Sequence, residues 1–89
     1  MKATLKRLYM LNRKSKRRKR MTPAEFRELG ALLDVARDAL GKVTDDYVRL
    51  ALTERYINAK SWRSVTSALG AVSDDSIRRA CARAVGRYM

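Results

Sequence analysis

The clearest chemistry in this chain lies near its C-terminus. In the closing segment SDDSIRRACARAVGRYM, residues 73–89, Ser76, Arg78, Arg79, Arg83 and Arg87 recur at helical spacing. On a helix turning 100° per residue, Ile77, Cys81, Ala84, Val85 and Tyr88 form one apolar stripe centred on Cys81. The opposite side carries Asp75, Ser76, Arg79, Ala82, Arg83 and Gly86, with Arg78 and Arg87 at its flanks. Small residues between arginines let such a helix sit deep in a groove. A guanidinium pairs bidentately with guanine O6 and N7, the commonest base-specific contact in the major groove. Ser76 suits either a base edge or a phosphate. Asp75 suits cytosine N4 or simply the start of the helix. The plain alternative, a solvated arginine face, is weakened by the short helix and turn that precede this segment and by the charge of the chain.

A second chemical signal is the run Arg13, Lys14, Ser15, Lys16, Arg17, Arg18, Lys19, Arg20. It could track phosphates, reach into a minor groove, hold RNA, or serve a eukaryotic cell as a nuclear import signal. The net charge is +12 over 89 residues, and it is uneven. Residues 1–20 hold ten Lys/Arg and no acid, whereas residues 21–89 hold eleven Lys/Arg against all nine Asp/Glu. A strongly basic arm on a near-neutral body calls for a polyanionic partner. Nucleic acid suits it better than a membrane, because the run Arg13–Arg20 has no apolar face to bury in lipid.

Nothing in the sequence supports catalysis, and no nucleophile–base pair is visible. There is no histidine, and the single cysteine, Cys81, has no base to activate it. No metal-ligand cluster and no phosphate-cradling glycine loop occurs. The acid pairs Asp45-Asp46 and Asp74-Asp75 each open a helix, where the helix dipole accounts for them. The expectation is a binding protein with no enzymatic activity, no cofactor and no metal. A lone thiol fits a reducing compartment, and no apolar run is long enough to cross a membrane.

These residues must be positioned by a small single domain whose pattern is all-α, with four to five helices. Residues 3–20 can form a helix, with Leu5, Leu8, Tyr9 and Asn12 on one face; the dense charge of 13–20 predicts fraying until a polyanion binds. Thr22-Pro23-Ala24-Glu25 is a capping box with proline at the first helical position. Phe26, Leu29, Leu32 or Leu33, Ala36 and Leu40 then repeat along a helix over 23–40, stopped by Gly41. Thr44 is placed to cap a third helix, and its residues Tyr47, Val48, Leu50, Ala51, Leu52, Tyr56 and Ile57 are apolar nearly all round, predicting the most buried helix. Ser61 caps a short helix with Trp62, Val65, Ala68 and Leu69 inward. Trp62 reads as a core anchor, with base stacking as the rival role. Gly70 ends that helix and Ser73 caps the last. The tyrosines Tyr9, Tyr47, Tyr56 and Tyr88 read as packing residues. The organisation expected is a basic N-terminal arm over 1–21 and a helical domain over 22–89, ending in a helix-turn-helix at 61–89.

The segment from Leu52 to Leu69-Gly70, followed by Ser73-Asp-Asp-Ser-Ile-Arg-Arg and Arg83-Ala-Val, resembles the C-terminal, promoter −35-reading domain of sigma factors. Small phage-encoded transcriptional regulators are the nearest in pattern. The residues that carry the resemblance are Arg55, Tyr56, Ile57, Ser61, Trp62, Leu69, Gly70, Ser73 and Ile77, and it spans about residues 44–88. Relatives of this kind often carry an N-terminal segment with both basic and acidic residues; here it is purely basic. The resemblance implies sequence-specific binding to double-stranded DNA near promoters, with contact to RNA polymerase, in the cytoplasm of a bacterial host. It implies Ser76, Arg79 and Arg83 as recognition residues, and Arg63 and Ser64 as phosphate contacts.

The expected activity is therefore a DNA-binding transcriptional regulator, with the last helix supplying base discrimination and the arm, Arg13 to Arg20, supplying salt-sensitive affinity. The rival is an RNA- or ribonucleoprotein-binding protein acting through the arm, for instance an inhibitor of a host nucleoprotein complex. A third reading is a protein-docking module presenting the Phe26–Leu40 helix. A homodimer is compatible with each.

Overall fold

The computed structural model describes residues 1–17, 20–71 and 73–88, Tyr88 by its backbone alone. Five helices follow one another: α1 Lys2–Lys16, α2 Pro23–Leu40, α3 Asp46–Leu52, α4 Trp62–Leu69 and α5 Asp74–Tyr88. A π-helical segment, Thr53–Ile57, extends α3 without a break. The protein is all-α, and no strand occurs among the described residues.

The helix starts follow from local chemistry. Thr22 Oγ1 accepts from the Glu25 amide at 3.1 Å while a Glu25 carboxylate oxygen accepts from the Thr22 amide at 3.0 Å, a complete capping box. Asp45, rather than Thr44, caps α3, accepting from the Tyr47 and Val48 amides at 3.0 and 3.2 Å. A carboxylate there both satisfies orphan amides and meets the helix dipole. Ser61 caps α4 by accepting from the Ser64 amide at 3.1 Å.

Two apolar clusters make the core. One gathers Leu52, Val65, Ile77, Cys81 and their neighbours from α3, α4 and α5. The other gathers Leu5, Leu8 and Leu11 of α1 with Leu29 and Ala36 of α2. Tyr56, Ile57 and Val85 pack against both clusters and so join them.

The first sixteen residues are thus part of the packed body and not a detached arm. Helix α1 also stays helical through Arg13, Lys14 and Lys16, where charge density alone predicts fraying. The reason is that the body supplies acceptors. Lys14 Nζ lies 2.9 Å from a Glu25 carboxylate oxygen, and Lys16 Nζ donates to the Asn58 carbonyl. Buried Asn12 donates Nδ2 to the Tyr56 carbonyl at 3.2 Å and to that of Ile57. Helix ends leave carbonyls without intrahelical donors; here α1 supplies those donors to the end of the α3–π helix. The chain then reverses through Ala59, whose φ is +54°.

Three expectations about burial are corrected. Phe26 is 56% exposed, because it lies about 80° around α2 from the arc centred on Leu29 and Ala36. Tyr47 and Leu50 are exposed too, since Leu40 at the end of α2 and the apolar faces of α4 and α5 pack on the Val48, Ala51 and Leu52 side of the helix. In α4, Thr66 is buried and Ala68 exposed. Thr66 lies just beside the Trp62–Val65–Leu69 arc, closer to its centre than Ala68, and its hydroxyl is satisfied by donating to the Trp62 carbonyl at 2.8 Å.

Ion pairs impose a pH dependence. The side-chain bond from Lys60 holds the Glu54 carboxyl below its ordinary range, the Thr22 amide and Lys14 do so for Glu25, and Arg7 for Glu28. Carboxyls depressed in the folded state stabilise it above their unfolded value, near 4.5, and that contribution is lost as pH falls through the folded values. Thermal midpoints measured from pH 7 to pH 3 are expected to hold until about pH 5 and then decline. Glu25→Gln combined with Glu54→Gln is expected to lower the plateau and flatten the decline.

Candidate nucleic-acid interface

The turn between α4 and α5 is built by Gly70. Its φ of +65° and ψ of +27° place it in the left-handed region, and its amide and that of Ala71 return to the Ser67 and Thr66 carbonyls at 3.3 and 3.0 Å. No atom lies within 4 Å of a Cβ built on Gly70, so Gly70→Ala costs only backbone strain, about 1–2 kcal/mol. The expected result is a thermal midpoint lowered by roughly 4–8 °C per kcal/mol. An unchanged midpoint would show that the turn does not hold this conformation.

Ser73 then caps α5, its Oγ accepting from the Ser76 amide at 3.2 Å. The inward stripe is as the sequence implies: Ile77, Cys81 and Ala84 are buried and Val85 half-buried, while the Tyr88 side chain lies outside the described residues. Burial pushes the Cys81 thiol up to about 11, which keeps it protonated and inert at neutral pH. Asp75, Ser76, Arg78, Arg79, Ala82, Arg83, Gly86 and Arg87 are all exposed. Among the described residues no ion pair engages Arg78, Arg79 or Arg83. Arg63 and Ser64 stand exposed on the first turn of α4, where Ser61 Oγ donates to Ser64 Oγ at 3.2 Å.

Trp62 is half-buried against the core, and the Tyr56 ring meets it edge-on at 6.3 Å. Its outer face is not bare. The Arg55 guanidinium stacks 4.9 Å from the Trp62 centroid and 3.7 Å from that of Tyr9, so the cation lies between a ring of α1 and a ring of α4. Arg55 Nη1 donates to the Lys60 carbonyl at 3.2 Å. Arg78 reaches the same tryptophan from α5, at 6.0 Å. This stack ties α1 to α4. Sequence reading misses Tyr9 and Arg55 as its members, because no local pattern marks a residue that bridges two distant helices.

The basic run divides. Lys14 is taken up by Glu25, and Arg7, earlier on α1, by Glu28 at 2.9 Å. Arg13 instead leans on Tyr9, its Nη1 donating to the phenol oxygen at 3.4 Å. Arg13, Lys16 and Arg17 line an open cleft of about 270 Å³ with Tyr9, Ala59 and Ser61, the last being the residue that opens α4. Arg20 is exposed; Arg18 and Lys19 lie outside the described residues.

Among the described residues no three His, Cys, Asp or Glu side chains converge as metal ligands, and no helix is long and apolar enough to cross a membrane. Phe26 and Val35, the exposed apolar residues of α2, sit nine positions apart and so on opposite sides of that helix. No protein-family model, curated protein or solved structure matches this chain.

Proposed function

We propose that this protein binds double-stranded DNA in a sequence-dependent manner and regulates transcription, without catalysing a reaction. One observation supports the reading: the second helix of a capped helix-turn-helix presents Ser76, Arg79 and Arg83 exposed, on the side of α5 away from its buried stripe. The intervening Ala82 and Gly86 keep that face low, which lets a helix approach base edges in a groove about 12 Å wide. Arg63 and Ser64 at the start of α4 suit the flanking phosphates, as the resemblance to the −35-reading domain of sigma factors implies. A phage-derived regulator that contacts RNA polymerase in the bacterial cytoplasm is the corresponding biological setting.

The test is selection of bound duplexes from a random pool at 50 and 200 mM salt. Recovery of one motif at both concentrations supports the reading, and a palindromic motif would add a dimer. Binding that shows no preferred sequence, or that favours single-stranded RNA at both salts, would replace it with the ribonucleoprotein reading, which rests on the charge of α1.

A further inference from the structure

Among the described residues, the cations of α1 and its C-terminal cap Arg17 that make neither an ion pair nor a bond to a backbone carbonyl are not scattered. Lys2, Lys6, Arg13 and Arg17 follow one another at spacings of four, seven and four residues, with Tyr9 between them, so they form a single stripe along the helix. Among the described residues no ion pair engages any of the four. Arg7 and Lys14, which carry the ion pairs to α2, project from another side of α1. The fold therefore sorts the charge of α1 into a neutralised row facing α2 and an unopposed row facing elsewhere.

Where the unopposed row faces is set by the residues around it. At one end Lys2 lines a cleft with Trp62, Arg78 and Ala82, the last two belonging to the exposed arc of α5. At the other end Arg13 and Arg17 line the cleft beside Ser61, where α4 begins. Between these ends, Tyr9 holds Arg55, Arg55 holds Trp62, and Trp62 lies under Arg78. The stripe thus runs alongside the helix-turn-helix, from α5 to the start of α4, along one helix.

We infer that Lys2, Lys6, Arg13 and Arg17 form a phosphate-tracking rail for the same DNA duplex whose major groove α5 enters, so that backbone grip and base reading belong to one continuous surface. The inference rests on the DNA-binding function proposed above. A helix of fifteen residues is about 22 Å long, enough to follow roughly six base pairs at 3.4 Å each. Each phosphate neutralised contributes about 0.9 to the slope of log affinity against log salt.

The full-length quadruple variant Lys2→Gln, Lys6→Gln, Arg13→Gln, Arg17→Gln, titrated on the selected duplex, is expected to lower that slope by roughly 3–4 while leaving the ratio of specific to nonspecific affinity unchanged. Arg13→Lys with Arg17→Lys is expected to keep the wild-type slope, because charge rather than shape is required. Independently of any variant, phosphate-ethylation interference with the wild-type protein should extend about six base pairs along one flank of the selected bases. An unchanged slope in the quadruple variant, or interference confined to phosphates bordering the selected bases, overturns the rail. Loss of single-stranded RNA binding with an unchanged duplex slope also overturns it, giving the stripe to RNA and leaving α5 as a DNA reader. A wild-type protein that selects no duplex sequence fails the underlying reading itself, and the rail with it.

Discussion

Replacing Arg79 and Arg83 together by alanine is expected to remove most base discrimination while leaving the protein folded. Each guanidinium that pairs with a guanine contributes about 1–3 kcal/mol of discrimination against a wrong base. At 1.4 kcal/mol per factor of ten, losing two such contacts lowers the specificity ratio roughly thirtyfold or more. The fold should not register the change. Both side chains are exposed, neither makes an ion pair among the described residues, and alanine is the better helix former. Measured by competition between the selected duplex and a scrambled one, the double variant should bind both with similar affinity, at an unchanged thermal midpoint. Retention of the wild-type ratio would remove α5 as the reading element. The same comparison with Arg78→Ala is expected to give a smaller loss, since Arg78 also lies over Trp62 and sits at the edge of the exposed arc of α5.

The exposed arc of α5 was legible because it depends on one helix alone. Given that residues 74–88 are helical, Ile77, Cys81 and Ala84 must face opposite to Arg79 and Arg83, whatever lies outside. The caps were legible for a similar reason: Thr22 with Glu25, Ser61 with Ser64 and Ser73 with Ser76 are each closed within three residues. Charge was legible only as a sum. Nothing local distinguishes Lys14 from Arg13; the difference is that α2 places Glu25 against one and not the other. Burial on α2 and α3 failed for the same cause. Phe26, Tyr47 and Leu50 are apolar and in helical register, but whether a neighbouring helix covers them is a property of the assembly. The bridge Tyr9–Arg55–Trp62 joins positions 46 and 7 residues apart, and single-sequence periodicity carries no information about such contacts.

That α1 belongs to the body leads to the largest expected change in stability. Leu8 is fully buried, in a cluster shared with Leu5, Leu11, Leu29 and Ala36. Truncating a leucine in such a site removes its transfer free energy and leaves a cavity, at about 2–5 kcal/mol. A chain of this length holds roughly 4–13 kcal/mol in total, so Leu8→Ala takes a large share of it. The thermal midpoint should fall by roughly 10 °C or more. The loss should also appear in α3, because Asn12, one turn along from Leu8, donates to the carbonyls that end the α3–π helix. Hydrogen exchange should therefore quicken at residues 53–57 together with α1. A destabilisation below about 1 kcal/mol, a midpoint shift under roughly 4 °C, would instead show that residues 1–16 behave as an appendage. The same argument changes how the N-terminal charge must be probed. Deleting residues 1–20 removes three buried leucines along with ten cations and is expected to unfold the domain. Loss of DNA binding in that deletion would report the missing core, whereas substitutions confined to Lys2, Lys6, Arg13 and Arg17 report the charge.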